Sequence, residues 1–266
     1  MFGGETVGGE ERGDGMQANG AEGDSFALSR LELSLGSPAA ELALDEALLV
    51  EAEEAPASRE ALRIWSFASS VVVIGRGSKR DVEVDREYCD WEGIPVLRRC
   101  SGGAAIVGGP GCLMYSLVLD LRRRADLRRV DAAHAWVMSR LLKAVSCQVS
   151  GVRWQGTCDL TLAGRKFSGN SLRIARDHLL YHGTILHAAD LGRLQRCLRT
   201  PPRQPDYRGG RDHLDFVTNV ELDPARLTED LAEGFNAIAP PREWPRELTE
   251  RLLAERYNDP AWHGRH

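Results

Sequence analysis

From Pro38 the chain reads "PAAELALDEALLVEAEEA", which sets Leu44 and Leu48 on one side of a 3.6-residue turn and acids on the other. Ser37-Pro38 is a start signal for this helix, with serine as cap and proline in the first turn. "LRIWSF" and "VVVIG" then predict two strands, and the second has the unbroken apolar character of a buried sheet. Asp85 predicts a cap for the short helix "REYCDWE", which Gly93 ends. "IPVLRR" reads as a strand entering a glycine-rich turn and "LMYSLVLDL" as the strand leaving it. Asp131 to Val149 predicts a long amphipathic helix carrying Val137, Leu141, Leu142 and Val145. "CDLTL", a turn at Ala163-Gly164, "KFSGNSLRI" and "HLLYHGTIL" form a strand group, and "DLGRLQRCL" a helix. "RTPPRQPDYRGGRDH" predicts a mobile loop and "FVTNV" a last strand. Helices around Leu227 to Ile238 and Glu247 to Tyr257 follow. Strands and helices mix without strict βαβ alternation or internal repeat, so the expected class is α+β, a mixed β-sheet flanked by helices.

Composition narrows the setting. Residues 1–25 are rich in Gly and Glu and poor in large apolar side chains, which predicts a disordered tail ahead of one domain over residues 26–266. The 34 Lys and Arg against 39 Asp and Glu leave a net charge of -5, which argues against nucleic-acid binding by bulk electrostatics. No run is apolar enough for a membrane span, and "MFGGETVGGEERGDG" lacks the basic start and apolar core of a secretory signal. The six cysteines show no CxxC pair and no zinc-ligand spacing, so a reduced, cytoplasmic protein is expected.

Two stretches carry candidate chemistry. "RRCSGGAAIVGGPGC" places Arg98 and Arg99 before a run almost stripped of side chains: Ser101, Gly102, Gly103, Ala104, Ala105 and Ile106. Bare main chain beside guanidinium groups makes an anion cradle, although glycines serving turn geometry alone also account for it. The spacing is neither that of a phosphate loop nor of a dinucleotide turn. In "GRKFSGNSLRI", Lys166 starts a strand just past a turn. An ammonium there, about 4 Å from a carboxylate or phosphate oxygen at an effective dielectric near 20, contributes roughly 4 kcal/mol; a solvated edge lysine is the plainer reading. His182 is either a base or a satisfied core histidine.

Taken together these segments resemble the lipoate–protein ligases and their octanoyltransferase relatives. "VVVIGRGSKRDVEVDREYCDWEGIPVLRRCSGGAAIVGGPG" is similar to that family's V-V-I-G-R, G-I-P-V and R-R-x-S-G-G-G-A-V-x-H segment. "CDLTLAGRKFSGNSLRIARDHLLYHGTIL" resembles its D-L, K-x-x-G-x-A-x-R and H-G-T-L-L segment, and "ELALDEALL", "FVTNV" and "LAERYNDPAW" match in order. The resemblance implies the biotin/lipoate ligase-like fold, in its lipoyl branch. It gives Lys166 the family lysine's role on the acyl carbonyl and phosphate, and the turn from Arg98 to Ile106 the role of the loop over the acyl-adenylate. It implies that Arg76 lines the mouth of the acyl pocket, that Gly169 is the glycine of K-x-x-G, and that Asp159 meets a Mg²⁺ ion.

The implied activity uses ATP to turn lipoate or octanoate into acyl-AMP and passes the acyl group to a lysine of a lipoyl carrier domain. Such carriers are 2-oxoacid dehydrogenase E2 subunits and the glycine cleavage H protein. Neither a nucleic acid nor a membrane is an expected partner. Three departures stand out: Ala104 replaces the third glycine, Gly108 replaces the histidine, and Cys100 fills the variable position. The chain also runs out where many family ligases carry a further domain, so adenylation is expected to draw on a separate accessory chain or to be absent. Two alternatives stand beside the ligase, the first supported by that missing domain and the second opposed by the intact Lys166 and arginine pair. One is an ATP-independent octanoyltransferase with a cysteine nucleophile, for which Cys158, beside Asp159 and Lys166, and Cys112 are candidates against buried inert thiols. The other is a non-catalytic carrier-binding protein.

Overall fold

The computed structural model describes residues 26–266, so the expected tail lies outside the described residues. Ten strands are found among them: β1 Ser29–Glu32, β2 Ala61–Trp65, β3 Val71–Ile74, β4 Val96–Arg98, β5 Ile106–Gly108, β6 Cys112–Asp120, β7 Val152–Gln155, β8 Asp159–Leu162, β9 Arg165–Ile174 and β10 His178–Leu186. The helices are α1 Pro38–Glu54, α2 Arg80–Glu83, α3 Arg86–Trp91, α4 Val130–Ser146, α5 Leu191–Cys197, α6 His213–Phe216, α7 Pro224–Gly234, α8 Arg246–Leu252 and α9 Pro260–Gly264. A seven-stranded sheet runs β1-β2-β6-β10-β9-β8-β7, and a three-stranded sheet runs β4-β3-β5. Parallel pairs occur at β1–β2 and β3–β4 and the other pairs are antiparallel, which is the expected α+β mixed sheet. Among the described residues no helix is long and apolar enough to cross a membrane.

The central strands β6 and β10 are buried along their whole length, and so is β2. Their burial follows from cover on both faces: α1 packs on β6 and β10 from one side, and on the other His134 of α4 meets Tyr181, and Phe235, just past α7, stacks on Tyr115. Asp85 caps α3 through the Tyr88 N–H at 3.0 Å, and Gly93 ends it in the left-handed region at φ 66°. Ala163 and Gly164, at φ 49° and 73°, make the tight turn between β8 and β9.

Helix α1 differs from its pattern. Its acids do not form a solvated face: Glu41, Asp45 and Glu46 are each 1% exposed. They are tolerated because cations from distant segments meet them. Arg63 of β2 ion-pairs with Asp45 at 2.7 Å and with Glu41, and stacks 4.4 Å over Trp65. Glu46 receives Arg173 at 2.6 Å, the Tyr257 hydroxyl at 2.8 Å, and Arg256. Ser37 does not cap through its side chain; the Glu41 carboxylate instead accepts from the Leu35 and Gly36 N–H groups at 2.5 and 3.1 Å.

"FVTNV" is not a strand. Phe216 ends α6, and Val217 makes a single bridge to Lys166, with the Thr218 N–H bonding the Lys166 carbonyl at 2.9 Å. The segment docks at the end of β9 and then turns away, so no ladder forms.

Replacing Arg63 with methionine leaves two carboxylates buried without a cation. We expect a loss of about 3–5 kcal/mol of stability, read from urea unfolding at neutral pH. A change below about 1 kcal/mol would mean that these charges are not paired as described.

Candidate active site

Lys166 owes its direction to an irregularity. Leu160 of β8 pairs with Ser168 and Thr161 pairs with Lys166, so β9 carries one extra residue, Phe167, at this point. A bulge shifts side-chain parity, which brings Lys166 onto the same face as Gly169. The ammonium folds back over Gly169 so closely that a Cβ there would lie 2.6 Å from Nζ. Nζ forms an ion pair with Asp159 Oδ1 at 2.7 Å, and Asp159 Oδ2 accepts from the Tyr207 hydroxyl at 2.7 Å.

Two cavities meet at this lysine. The first runs past Leu42, Trp65, Val73 and Met114, with Asp45 and His182 in its wall. The second lies between Phe167, Leu186, Leu194, Phe216 and the segment Pro201–Arg208. Both are bounded by Ala104, Ala105, Ile106, Lys166, Gly169 and Thr184. The stretch expected to be a mobile loop therefore supplies a wall. Arg208 and Arg211 knit it together: each Nε donates to the other's carbonyl at 2.9 Å. The Arg208 Nη2 is buried without a hydrogen-bond partner.

The arginine–glycine turn divides into parts. Arg99 borders the first cavity and holds the turn in shape, donating to the carbonyls of Val73 at 3.1 Å and Ala104 at 3.0 Å, to Gly102, and to Ser101 Oγ at 3.1 Å. Burial pulls this guanidinium down to about 10, and among the described residues no carboxylate forms an ion pair with it. Gly103 borders the first cavity, and the Ala105 N–H is already given to Glu83 Oε2 at 2.7 Å. Ser101 and Gly102 line neither cavity. Arg98 faces away. Its fully buried guanidinium donates to the carbonyls of Gly75, Ser78, Trp262 and His263 at 2.8–3.1 Å, stapling α9 to the start of the turn. Expected as a ligand contact, Arg98 is a structural staple, because carbonyls from two chain segments converge on its planar fork. Arg76 is exposed and lines neither cavity.

His182 sits between Asp45 Oδ2, 3.0 Å from Nδ1, and Ser101 Oγ, 2.5 Å from Nε2. Burial opposes the Asp45 charge, but the His182 hydrogen bond and Arg63 outweigh it and hold the carboxyl below its usual range. With its Nδ1 proton on Asp45, the imidazole accepts at Nε2 from Ser101. It pairs across the sheet with Ser171, toward the far end of β9 from Lys166, and shapes the wall of the first cavity.

Neither cysteine expected as a nucleophile borders these two cavities. Cys112 is buried on β6, its thiol pushed up to about 12 by burial. Cys158 donates to the Asn170 carbonyl at 3.0 Å; burial and the Asp159 charge raise its thiol despite the opposing Lys166, so no thiolate is favoured. Asp159 is a single carboxylate with both oxygens engaged, and no group of three metal-ligating side chains exists among the described residues. The one metal mode that fits is a Mg²⁺ ion carried on substrate phosphates and touched by one protein carboxylate.

Gly108 stands where the resembled pattern has histidine. The Phe67 ring occupies the space beside it: a Cβ at this position would meet Cδ2 at 2.4 Å.

The fold and this lysine-centred pair of cavities are those of a ligand-binding catalytic domain, and the comparisons give its family. The family described as the lipoyl protein ligase A/B catalytic domain matches residues 37–230, and the chain belongs to it. A protein of Aeropyrum pernix that carries a lipoate-protein ligase A name is 33% identical over 210 residues, covering 78% of this chain and 74% of that one. The octanoyltransferase LipM of Carboxydothermus hydrogenoformans is 28% identical over 260 residues, covering 85% and 94%. The bi-partite lipoate protein ligase of Thermoplasma acidophilum shares the fold at a TM-score of 0.75 and 21% identity, covering 90% and 97%. Other curated relatives are longer, and the chain spans about half the length of two of them, 51% and 52%.

A Gly169→Ala protein should melt within about 3 °C of the parent, since the atom displaced is the end of a flexible side chain. Lys166 should move. Trace labelling with acetic anhydride resolves it from the two other lysines, Lys79 and Lys143, and its relative rate should change by about threefold or more. An unchanged rate would show that the ammonium does not lie over Gly169.

Proposed function

We propose that this chain is the catalytic unit of an ATP-dependent lipoate–protein ligase. The observation that carries the reading is the junction: one ammonium and one turn of main chain bound two cavities at once. An acyl-adenylate has the same plan, an apolar chain and a nucleotide joined at a mixed anhydride. The apolar walls around Leu42, Trp65, Val73 and Met114 suit the acyl chain of lipoate or octanoate. The second cavity suits the nucleotide, where the unpartnered Arg208 nitrogen offers a donor to an anion.

In the first step the acid's carboxylate attacks the α-phosphorus of ATP and pyrophosphate leaves. In the second, a lysine amine of a lipoyl carrier domain attacks the acyl carbon and AMP leaves. Charge grows on phosphoryl oxygens and then on the carbonyl oxygen, and Lys166 at the junction stabilises both, so covalent catalysis by the protein is not required. Asp159 holds the ammonium in register. Mg²⁺ arriving with ATP would neutralise phosphate charge, with Asp159 as its protein contact. The carrier is of the kind found in 2-oxoacid dehydrogenase E2 subunits or the glycine cleavage H protein, and a separate accessory chain is a candidate partner for adenylation.

The relative LipM, matched over 94% of its length, favours a second reading as an octanoyltransferase. The two readings separate cleanly. As a ligase, the chain exchanges labelled pyrophosphate into ATP when given lipoate and Mg²⁺, and Lys166→Ala lowers that rate by about a thousandfold, the worth of a roughly 4 kcal/mol contact. As a transferase, it exchanges nothing and gains an octanoyl thioester from an octanoylated carrier, visible by intact mass. Full exchange by Lys166→Ala would remove the lysine from the mechanism.

A further inference from the structure

The segment Pro201–Arg208 walls the second cavity, yet its most specific contact points elsewhere. Tyr207, in the short turn Asp206–Arg208, reaches past the cavity wall and gives its hydroxyl to Asp159 Oδ2 at 2.7 Å. The other oxygen of that carboxylate holds Lys166 Nζ at 2.7 Å. Three side chains therefore form one polar chain that ends at the junction of the cavities. In this contact the phenol O–H is the donor and the carboxylate oxygen the acceptor.

Tyr207 itself is fixed. Its ring lies 5.3 Å from that of Phe216, its carbonyl accepts from Arg211 Nη2 at 2.8 Å, and the same nitrogen reaches the Gly164 carbonyl at 3.1 Å. Gly164 belongs to the turn that delivers Lys166. The tyrosine is thus tied through main chain to the hairpin whose lysine it orients through Asp159.

We infer that Tyr207 is a positioning residue for Lys166, acting through the Asp159 carboxylate. A carboxylate held on one side by the ammonium alone is free to rotate with it. Held on the other side by a fixed phenol, it pins the ammonium over Gly169, between the two cavities. Tyr207 lines neither cavity, so loss of its hydroxyl should alter how well the lysine is placed and not how tightly the acid or ATP binds. The role rests on the ligase reading above, although the contact chain itself does not.

Tyr207→Phe keeps the ring and removes only the hydroxyl. Pyrophosphate exchange should fall about tenfold in kcat, the worth of one hydrogen bond to a charged group, with KM for lipoate and ATP held within about twofold. Acetic anhydride labelling of Lys166, measured against Lys79 and Lys143, should rise about threefold or more as the ammonium is released. Asp159→Asn should raise the labelling further, and adding Tyr207→Phe to it should change nothing more, because the tyrosine acts only through that carboxylate. Equal labelling in the parent and Tyr207→Phe proteins, additive effects in the double variant, or a rise in KM at constant kcat would each overturn the inference. Absence of exchange in the parent protein with the labelling cycle intact would instead overturn the ligase reading and leave the positioning chain standing.

Discussion

A buried guanidinium with no ion-pair partner among the described residues shapes the centre of this protein. Arg99 has its charge drawn down by burial and directs its donors to carbonyls of β3 and of the glycine turn, and to the Ser101 hydroxyl. Those bonds fix a chain segment too poor in side chains to fix itself. Carbonyl dipoles satisfy the geometry of the fork, and the guanidinium stands in the wall of the first cavity with Asp45 and Lys166. The Ser101 hydroxyl relays the same arginine to His182 and Asp45, and Asp45 joins Arg63, so the turn is continuous with the ion pairs under α1. Loss of order at one end of this network would be felt at the other.

Much of the fold is legible in the sequence because the central strands carry a strong signal. β3 is a continuous apolar run and β2, β6 and β10 are mostly apolar stretches of strand length, and burial on both faces is what such stretches require. The strands missed are β1, β5 and β7, with residues Ser-Arg-Leu-Glu, Ile-Val-Gly and Val-Arg-Trp-Gln: short, half-exposed pieces whose pairing is decided by neighbours. The "FVTNV" segment errs the other way, as its strand propensity yields to a single docking contact at Lys166. Helix α9 was not anticipated because its anchor, the Arg98 fork, is far away in sequence.

The site divides along the same line. Lys166, Gly169 and the turn from Gly103 to Ile106 are legible through the family resemblance, their local pattern alone leaving plainer readings open, and the folded chain brings them together around the two cavities. The direction of a side chain is not legible, which is why Arg98, the equal of Arg99 by sequence, proves to be a staple facing the opposite way. Tyr207 gave no signal at all, since it lies in a Pro/Arg/Gly stretch and gains meaning only when Asp159 is folded against it. Acids on α1 likewise gave no hint of burial, because Arg63 lies beyond the end of the helix.

The Phe67 ring beside Gly108 bears on how this chain is related to its kin. A histidine at position 108 and a phenylalanine at position 67 claim the same volume, so the two sites form an exclusive pair. Neither residue can be exchanged alone without cost: histidine introduced first collides with the ring, and a smaller residue at position 67 introduced first opens a void beside glycine. In this chain, then, any side chain at position 108 must come with a change at position 67, and the bare backbone there is held by the ring and not by a turn.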